Sequence, residues 1–115
     1  MTPEQTVLIE RIRTLIAGEP VVREVSMFGG RSVMLNEKMI LSALRAGGLL
    51  VRVDADQHNA LLERSGAMQA EMGRGRGMGP GWIEVDAETI RSDEQLSFWV
   101  EVAIDYNRTV TGARS

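Results

Sequence analysis

Few side chains in this sequence could carry out chemistry, and their spacing limits what that chemistry could be. There is one histidine, His58, and no cysteine. Without thiols there is no disulfide, no thiolate nucleophile and no zinc ribbon. A lone histidine cannot form H-E-x-x-H, and a Ser-His-Asp triad would have to draw on Ser26, Ser32, Ser42, Ser65, Ser92, Ser97 or Ser115, none of which lies in a G-x-S-x-G elbow. The polar neighbours Asp56, Gln57 and Asn59 predict that His58 faces solvent on a helical turn. Asp54-Ala55-Asp56 starts like a calcium loop, but Asn59 stands where glycine is required and Ser65 where the bidentate glutamate belongs. Glu84 and Asp86 project from one face of a strand with Glu88 just beyond, a pairing that could bind a hard metal or serve as acid and base. A solvated strand face explains them more simply. No catalytic, cofactor-binding or metal-binding residue is therefore assigned, and no cofactor is expected.

The most conspicuous segment is Met72-Gly73-Arg74-Gly75-Arg76-Gly77-Met78-Gly79-Pro80-Gly81. Its glycines alternate, so it holds neither G-x-G-x-x-G nor a Walker lysine. Two readings remain. Arg74 and Arg76 could grip phosphate while the glycine backbone approaches closely, or the segment could be a flexible connection with solvated arginines. Methionine adapts to irregular contacts, so Met72 and Met78 beside the loop are candidates for an exposed contact surface, while Met27 and Met39 are expected inside. The candidate partner or phosphate surface is thus Arg74, Arg76 and Met78. The net charge of −3 argues against a dedicated nucleic-acid binder, although two arginines in one loop can still make a local basic patch.

These residues need a scaffold, and 115 residues suit one domain of ordinary size, placed here at 3–110 with a short tail at 111–115. Val, Leu, Ile and Phe make up about a quarter of the chain, above the roughly 20% typical of disorder, so a packed core is expected. Thr2-Pro3-Glu4-Gln5 reads as an N-cap, a proline at the first helical position and a capping box. The helix runs over 3–17 with Leu8, Ile12, Leu15 and Ile16 on its apolar face and Gly18 as its stop. Alternation over 22–28 predicts a strand, and Gly29-Gly30 a reversal at positive φ. Further strands follow at 31–35, 38–45 and 49–53, with Asn36-Glu37 as a short turn. Asp54 and Gln57 read as the capping box of a second helix that ends at Gly66. Residues 67–72 are ambiguous, 82–86 is a strand, and Ser92 or Asp93 caps a last helix with Leu96, Trp99, Val100, Ala103 and Ile104 on one face. The fold class is α+β: a single antiparallel sheet with N-terminal, middle and C-terminal helices in the order α-β-β-β-(β)-α-β-β-α. No apolar stretch approaches the ~18 residues of a membrane span. The N-terminus lacks a signal-peptide pattern, so a cytoplasmic protein is expected.

Four segments resemble, in order, the motifs of the TfoX/Sxy N-terminal domain family. Arg23 through Gly30 is similar to its R-x-x-x-M-F-G-G motif, with Arg23, Met27, Phe28, Gly29 and Gly30 at the matching positions. Leu49 through Asp54 resembles its L-x-V-R-V-D strand and helix start, with Arg52 as the arginine. Arg74-Gly75-Arg76-Gly77-Met78 followed by Trp82-Ile83-Glu84-Val85 is similar to its R-G-R-x-M loop and following strand, and Leu96 through Ala103 to its L-x-x-W-V-x-x-A helix. The resemblance implies helices packed on one antiparallel sheet and no established catalytic activity or cofactor. It further implies a regulatory role, because the named members are bacterial regulators of natural competence acting through transcription with other proteins. Those regulators carry an additional C-terminal helical domain, so a stand-alone domain of this type is expected here. The functional expectation is a non-enzymatic interaction domain with protein partners in or near the transcription machinery, or with a second copy as a homodimer. A nucleic-acid-contacting protein using the 73–81 loop, and a small-ligand binder or enzyme with a pocket between sheet and helices, are the alternatives.

Overall fold

The computed structural model describes residues 1–19, 22–27, 30–71 and 76–112, with Met27 as backbone only. Phe28 and Gly29 of the first motif and Arg74 and Met72 of the Gly/Arg segment lie outside the described residues.

The first helix, α1 (Pro3–Leu15), starts as its sequence dictates. The Thr2 hydroxyl accepts from the Gln5 N–H at 3.2 Å, and the Gln5 carboxamide accepts from the Thr2 N–H at 2.9 Å. The buried stripe is Gln5, Leu8, Ile9 and Ile12, continued by Ile16 at the C-cap, so it is rotated away from Leu15, which is exposed. Gln5 fixes that rotation by donating from Nε2 to the Ala43 carbonyl at 3.0 Å, which ties the helix face to the end of a strand. The helix stops at Leu15, short of the expected residue 17, with Ile16 as its C-cap rather than Gly18.

Six strands follow: β1 (Val22–Met27), β2 (Gly30–Leu35), β3 (Lys38–Ala43), β4 (Leu49–Arg52), β5 (Ala67–Gln69) and β6 (Trp82–Val85). They form one antiparallel sheet in the order β1-β2-β3-β4-β6-β5. The β2–β3 hairpin turns on Asn36 and Glu37, at φ 52° and 65°, the paired left-handed residues of a two-residue reversal. A bulge in β3 leaves Ile40 without a partner between Leu41↔Val33 and Met39↔Met34. The sequence neighbours Ile40 and Leu41 both reach the core, which strict alternation would forbid.

The constraint on Gly30 is close approach: a Cβ there would sit 2.6 Å from the Ala43 carbonyl oxygen and 2.6 Å from Ser42 Oγ.

After β4 the expected capping box is absent. The Asp54 carboxylate accepts from Asp56 N–H at 2.8 Å and caps a 3-10 turn, Ala55–Gln57, whose Gln57 N–H closes onto the Asp54 carbonyl at 3.0 Å. Only then does the short helix α2 (His58–Leu62) begin. The ambiguous 67–72 segment supplies the edge strand β5. The last helix, α3 (Asp93–Thr111), is capped by Ser92 and ends on Gly112 at φ 69°, a left-handed C-cap. Its buried face is Leu96, Trp99, Val100, Ala103, Ile104 and Asn107. Its apolar members join Leu8, Ile9 and Ile12 of α1 and the strand residues Val33, Leu41, Val51 and Ile83 in one apolar cluster. Among the described residues no helix is long and apolar enough to cross a membrane.

A charged triad ties edge strand β1 to α1. Arg13 grips Glu24 through both carboxylate oxygens, at 2.6 and 2.8 Å, and Arg31 Nε adds a third contact at 3.2 Å. Hydrogen bonds from Arg13 first, then from Arg31, hold the Glu24 carboxyl below the usual carboxylate range against the opposing effect of burial. A group with a lowered folded-state pKa stabilises the fold above its unfolded pKa, and that contribution disappears as pH falls through the folded value. The urea midpoint of the wild type should therefore exceed that of Glu24→Gln at neutral pH, with the gap closing on acidification. A gap independent of pH would contradict the triad. Gly30→Ala should cost about 1–3 kcal/mol in urea unfolding, the range for forcing atoms into filled space.

Candidate functional site

The sequence places His58 in solvent, and the structure corrects this: its side chain is buried, at 4% exposure. Local polarity misled because α2 begins at His58, so Asp56 and Gln57 point outward from the preceding 3-10 turn while His58 turns inward. Its ring is held on both sides. Nδ1 accepts from the Gly81 N–H at 2.9 Å, and Nε2 lies 2.8 Å from Gln69 Oε1. The Gln69 Nε2 faces three carbonyls, those of Ala70 at 3.1 Å, Gly79 at 3.1 Å and Trp82 at 3.3 Å. That arrangement fixes Oε1 toward the histidine, so the imidazole proton sits on Nε2 and leaves Nδ1 as an acceptor. His58 is a fastener, with neither nitrogen free for a substrate.

What it fastens is the Gly/Arg segment. Beyond β5 and β6 the hairpin continues outward: Ala70 N–H donates to Trp82 at 3.3 Å, Met78 N–H to Ala70 at 2.8 Å, and Glu71 bridges Gly77. The described part of the segment is therefore an arm, paired along its sides and clamped at its base by His58 and Gln69. Arg76 is exposed on this arm and Met78 is half-buried.

Gly81 joins the clamp to a second feature. It sits at φ 98°, and a Cβ there would collide with Arg52 Nη1. Its carbonyl accepts from Val53 N–H at 2.9 Å and from Arg52 Nη1 at 3.3 Å. The Arg52 guanidinium also lies 4.9 Å from the Trp82 ring centroid and 5.3 Å from that of Tyr106 on α3, two cation–π contacts. These groups border a hollow of about 420 Å³ at the end of the sheet, between the β2–β3 turn and the last turns of α3. Met34 and Met39 line it, so Met39, expected inside the core, is instead half-buried at its wall. Arg23 reaches the rim indirectly, through a 2.8 Å pair with Glu37.

A second hollow, of about 480 Å³, lies where the start of α1 meets Ser26, Gly30, Arg31 and Arg45. Its polar groups already have internal work: Thr2 Oγ1 donates to the Arg45 carbonyl at 2.6 Å, Gln5 holds Ala43, and Arg31 holds Glu24. The carboxylates considered from sequence also have structural or separate positions. Asp86 accepts from the N–H of Thr89, the first residue of the 3-10 turn Thr89–Arg91, at 2.7 Å, and Thr89 holds its carboxyl below the usual range. Glu84 sits across from Leu50 and Met68 in the sheet, and Glu88 is exposed. His58, Glu84 and Asp86 thus belong to separate local arrangements. Among the described residues no group of three or more His, Asp or Glu side chains is placed to hold a metal.

The sequence therefore singled out Arg52 through its motif and Arg76 through its loop. It missed Gln69 and Tyr106, which carry no motif signal, and read Trp82 only as the start of a motif-like strand; all three acquire meaning only when β5, β6 and α3 meet. His58→Leu should remove the partner of the Gly81 N–H and of Gln69 Oε1, leaving two polar groups unmet. A loss of at least about 2 kcal/mol in urea unfolding is expected, with faster amide exchange at Met78 and Ala70. Unchanged stability together with unchanged exchange would contradict the clamp.

A search of curated proteins finds no match to the chain. The family model of the TfoX N-terminal domain matches residues 14–106, a span that includes β1 to β6, the clamp, Arg52 and most of α3. The chain belongs to the TfoX N-terminal domain family.

Proposed function

We propose that this chain is a non-enzymatic regulatory interaction domain of the TfoX type, working as one unit over residues 3–110. Its β5–β6 arm presents Arg76, with Arg74 beside it in sequence, to an acidic face of a partner protein. One observation carries the reading: a buried histidine and a glutamine with three carbonyl contacts are committed to holding the base of an exposed arm. A mere connection between strands needs no such clamp, whereas a recognition loop binds better when its conformation is fixed beforehand. Family membership supports the same reading, and partners within the transcription machinery are the class it favours. Arginine suits the task because its planar fork can engage a carboxylate bidentately.

The test is recovery of the tagged chain from native cell extract, with sizing and identification of what co-elutes. A co-eluting protein is expected, its recovery falling at least roughly tenfold when Arg74 and Arg76 are both replaced by alanine, consistent with losing one or two charge-assisted hydrogen bonds. Recovery unaffected by the double variant would overturn the assignment of the arm. A co-eluate consisting of nucleic acid and removed by nuclease would overturn the protein-partner reading.

A further inference from the structure

The hollow at the end of the sheet has a chemistry of its own, separate from the arm. Its volume of about 420 Å³ falls in the range of small-molecule sites. Its walls include Met34, Met39 and Val110, flexible or small apolar side chains that adapt to a guest. Two cations border it, Arg52 and Lys38, and among the described residues no carboxylate pairs with either. Glu37, the acid at the rim, is already engaged by Arg23 at 2.8 Å. The amide of Asn107 is also committed, donating to the Leu35 carbonyl at 2.9 Å and accepting from Asn36 at 3.0 Å. An apolar chamber with unneutralised positive charge at its border favours a guest that is apolar in body and anionic at one end.

Arg52 is prepared for that end. One of its terminal nitrogens is anchored on the Gly81 carbonyl, and the rings of Trp82 and Tyr106 lie against its guanidinium. A guanidinium steadied in this way has lost much of its rotational freedom before any ligand arrives. Its remaining N–H edge presents the parallel donors that match a carboxylate. A phosphate dianion would want more donors and a wetter wall than the two methionines and Val110 provide. We propose that this hollow binds a small organic monocarboxylate with an apolar body, with Arg52 receiving the carboxylate, Lys38 adding long-range attraction, and the methionines enclosing the apolar part.

The experiment is a titration of the full chain with 3-phenylpropionate and, separately, with its neutral amide, followed by calorimetry and tryptophan fluorescence. Trp82 borders the hollow while Trp99 is fully buried in the core, so a ligand in the hollow should perturb the former. Saturable binding of the acid is expected, with the amide at least about tenfold weaker, as for a lost charge-assisted hydrogen bond. Arg52→Met should abolish the preference for the acid. Val110→Trp is the companion variant should Arg52→Met fail to fold: Val110 is 45% exposed, so the larger ring can fill the hollow without disturbing the core, and binding of the acid should be lost. Equal affinity for acid and amide, undiminished binding to Val110→Trp, or no saturation by about 10 mM, weaker than a specific ligand of this size should be, would each overturn the proposal.

Discussion

The imidazole of His58 and the backbone of Gly81 meet in a single hydrogen bond, and the placement of the other functional features follows from it. Gly81 ends the arm and leads directly into β6, so fixing its N–H on α2 sets where the arm leaves the sheet. Its carbonyl faces β4, holding Val53 and steadying Arg52, so the same residue positions the cation at the hollow. The side-chain space that any other residue would need there is already occupied by Arg52. A glycine at positive φ is therefore the condition under which helix, strand, arm and arginine can share one corner.

The same device recurs at the other helices. Apolar burial is strong but non-directional, so it can hold a helix against a sheet without fixing its rotation or register. Each helix carries one buried polar side chain that reaches the end of the sheet: Gln5 of α1 to Ala43, His58 of α2 to Gly81, and Asn107 of α3 to Leu35. Because an unpaired buried amide or imidazole is costly, each of these bonds makes one docking geometry preferable to its neighbours. Asn107 additionally accepts from Asn36 in the β2–β3 turn, so α3 and that turn define the hollow between them. Polar burial in this fold serves position.

Periodicity and local capping made much of this architecture readable from the sequence. The Thr2–Gln5 box, the alternation in β1, the Asn36-Glu37 turn and the α3 face from Leu96 to Ile104 are local signals, each complete within a few residues. Where reading failed, a distant partner decided the outcome. Leu15 lost its place in the core because Gln5 rotates α1 toward Ala43. Gly30 also makes a close approach to Ala43 and Ser42, which its own neighbours cannot reveal. His58 is the clearest case. Polar residues surround it in sequence, and its partners lie 11 and 23 positions away. The site was legible only as arginines, glycines and one strand beginning at Trp82 in suggestive segments; the setting that Gln69, Trp82 and Tyr106 give Arg52 and the arm became visible when the strands were assembled.

The geometry of the arm depends on the clamp being built as described. The most direct measurement is the ¹⁵N spectrum of the His58 ring in the folded protein at neutral pH. The account predicts a single tautomer with its proton on Nε2, slow to exchange with water because it is buried against Gln69, and an Nδ1 shift typical of an acceptor. A proton on Nδ1, or a ring averaging rapidly between tautomers, would contradict it, because neither could accept from Gly81 and hold the arm at the same time.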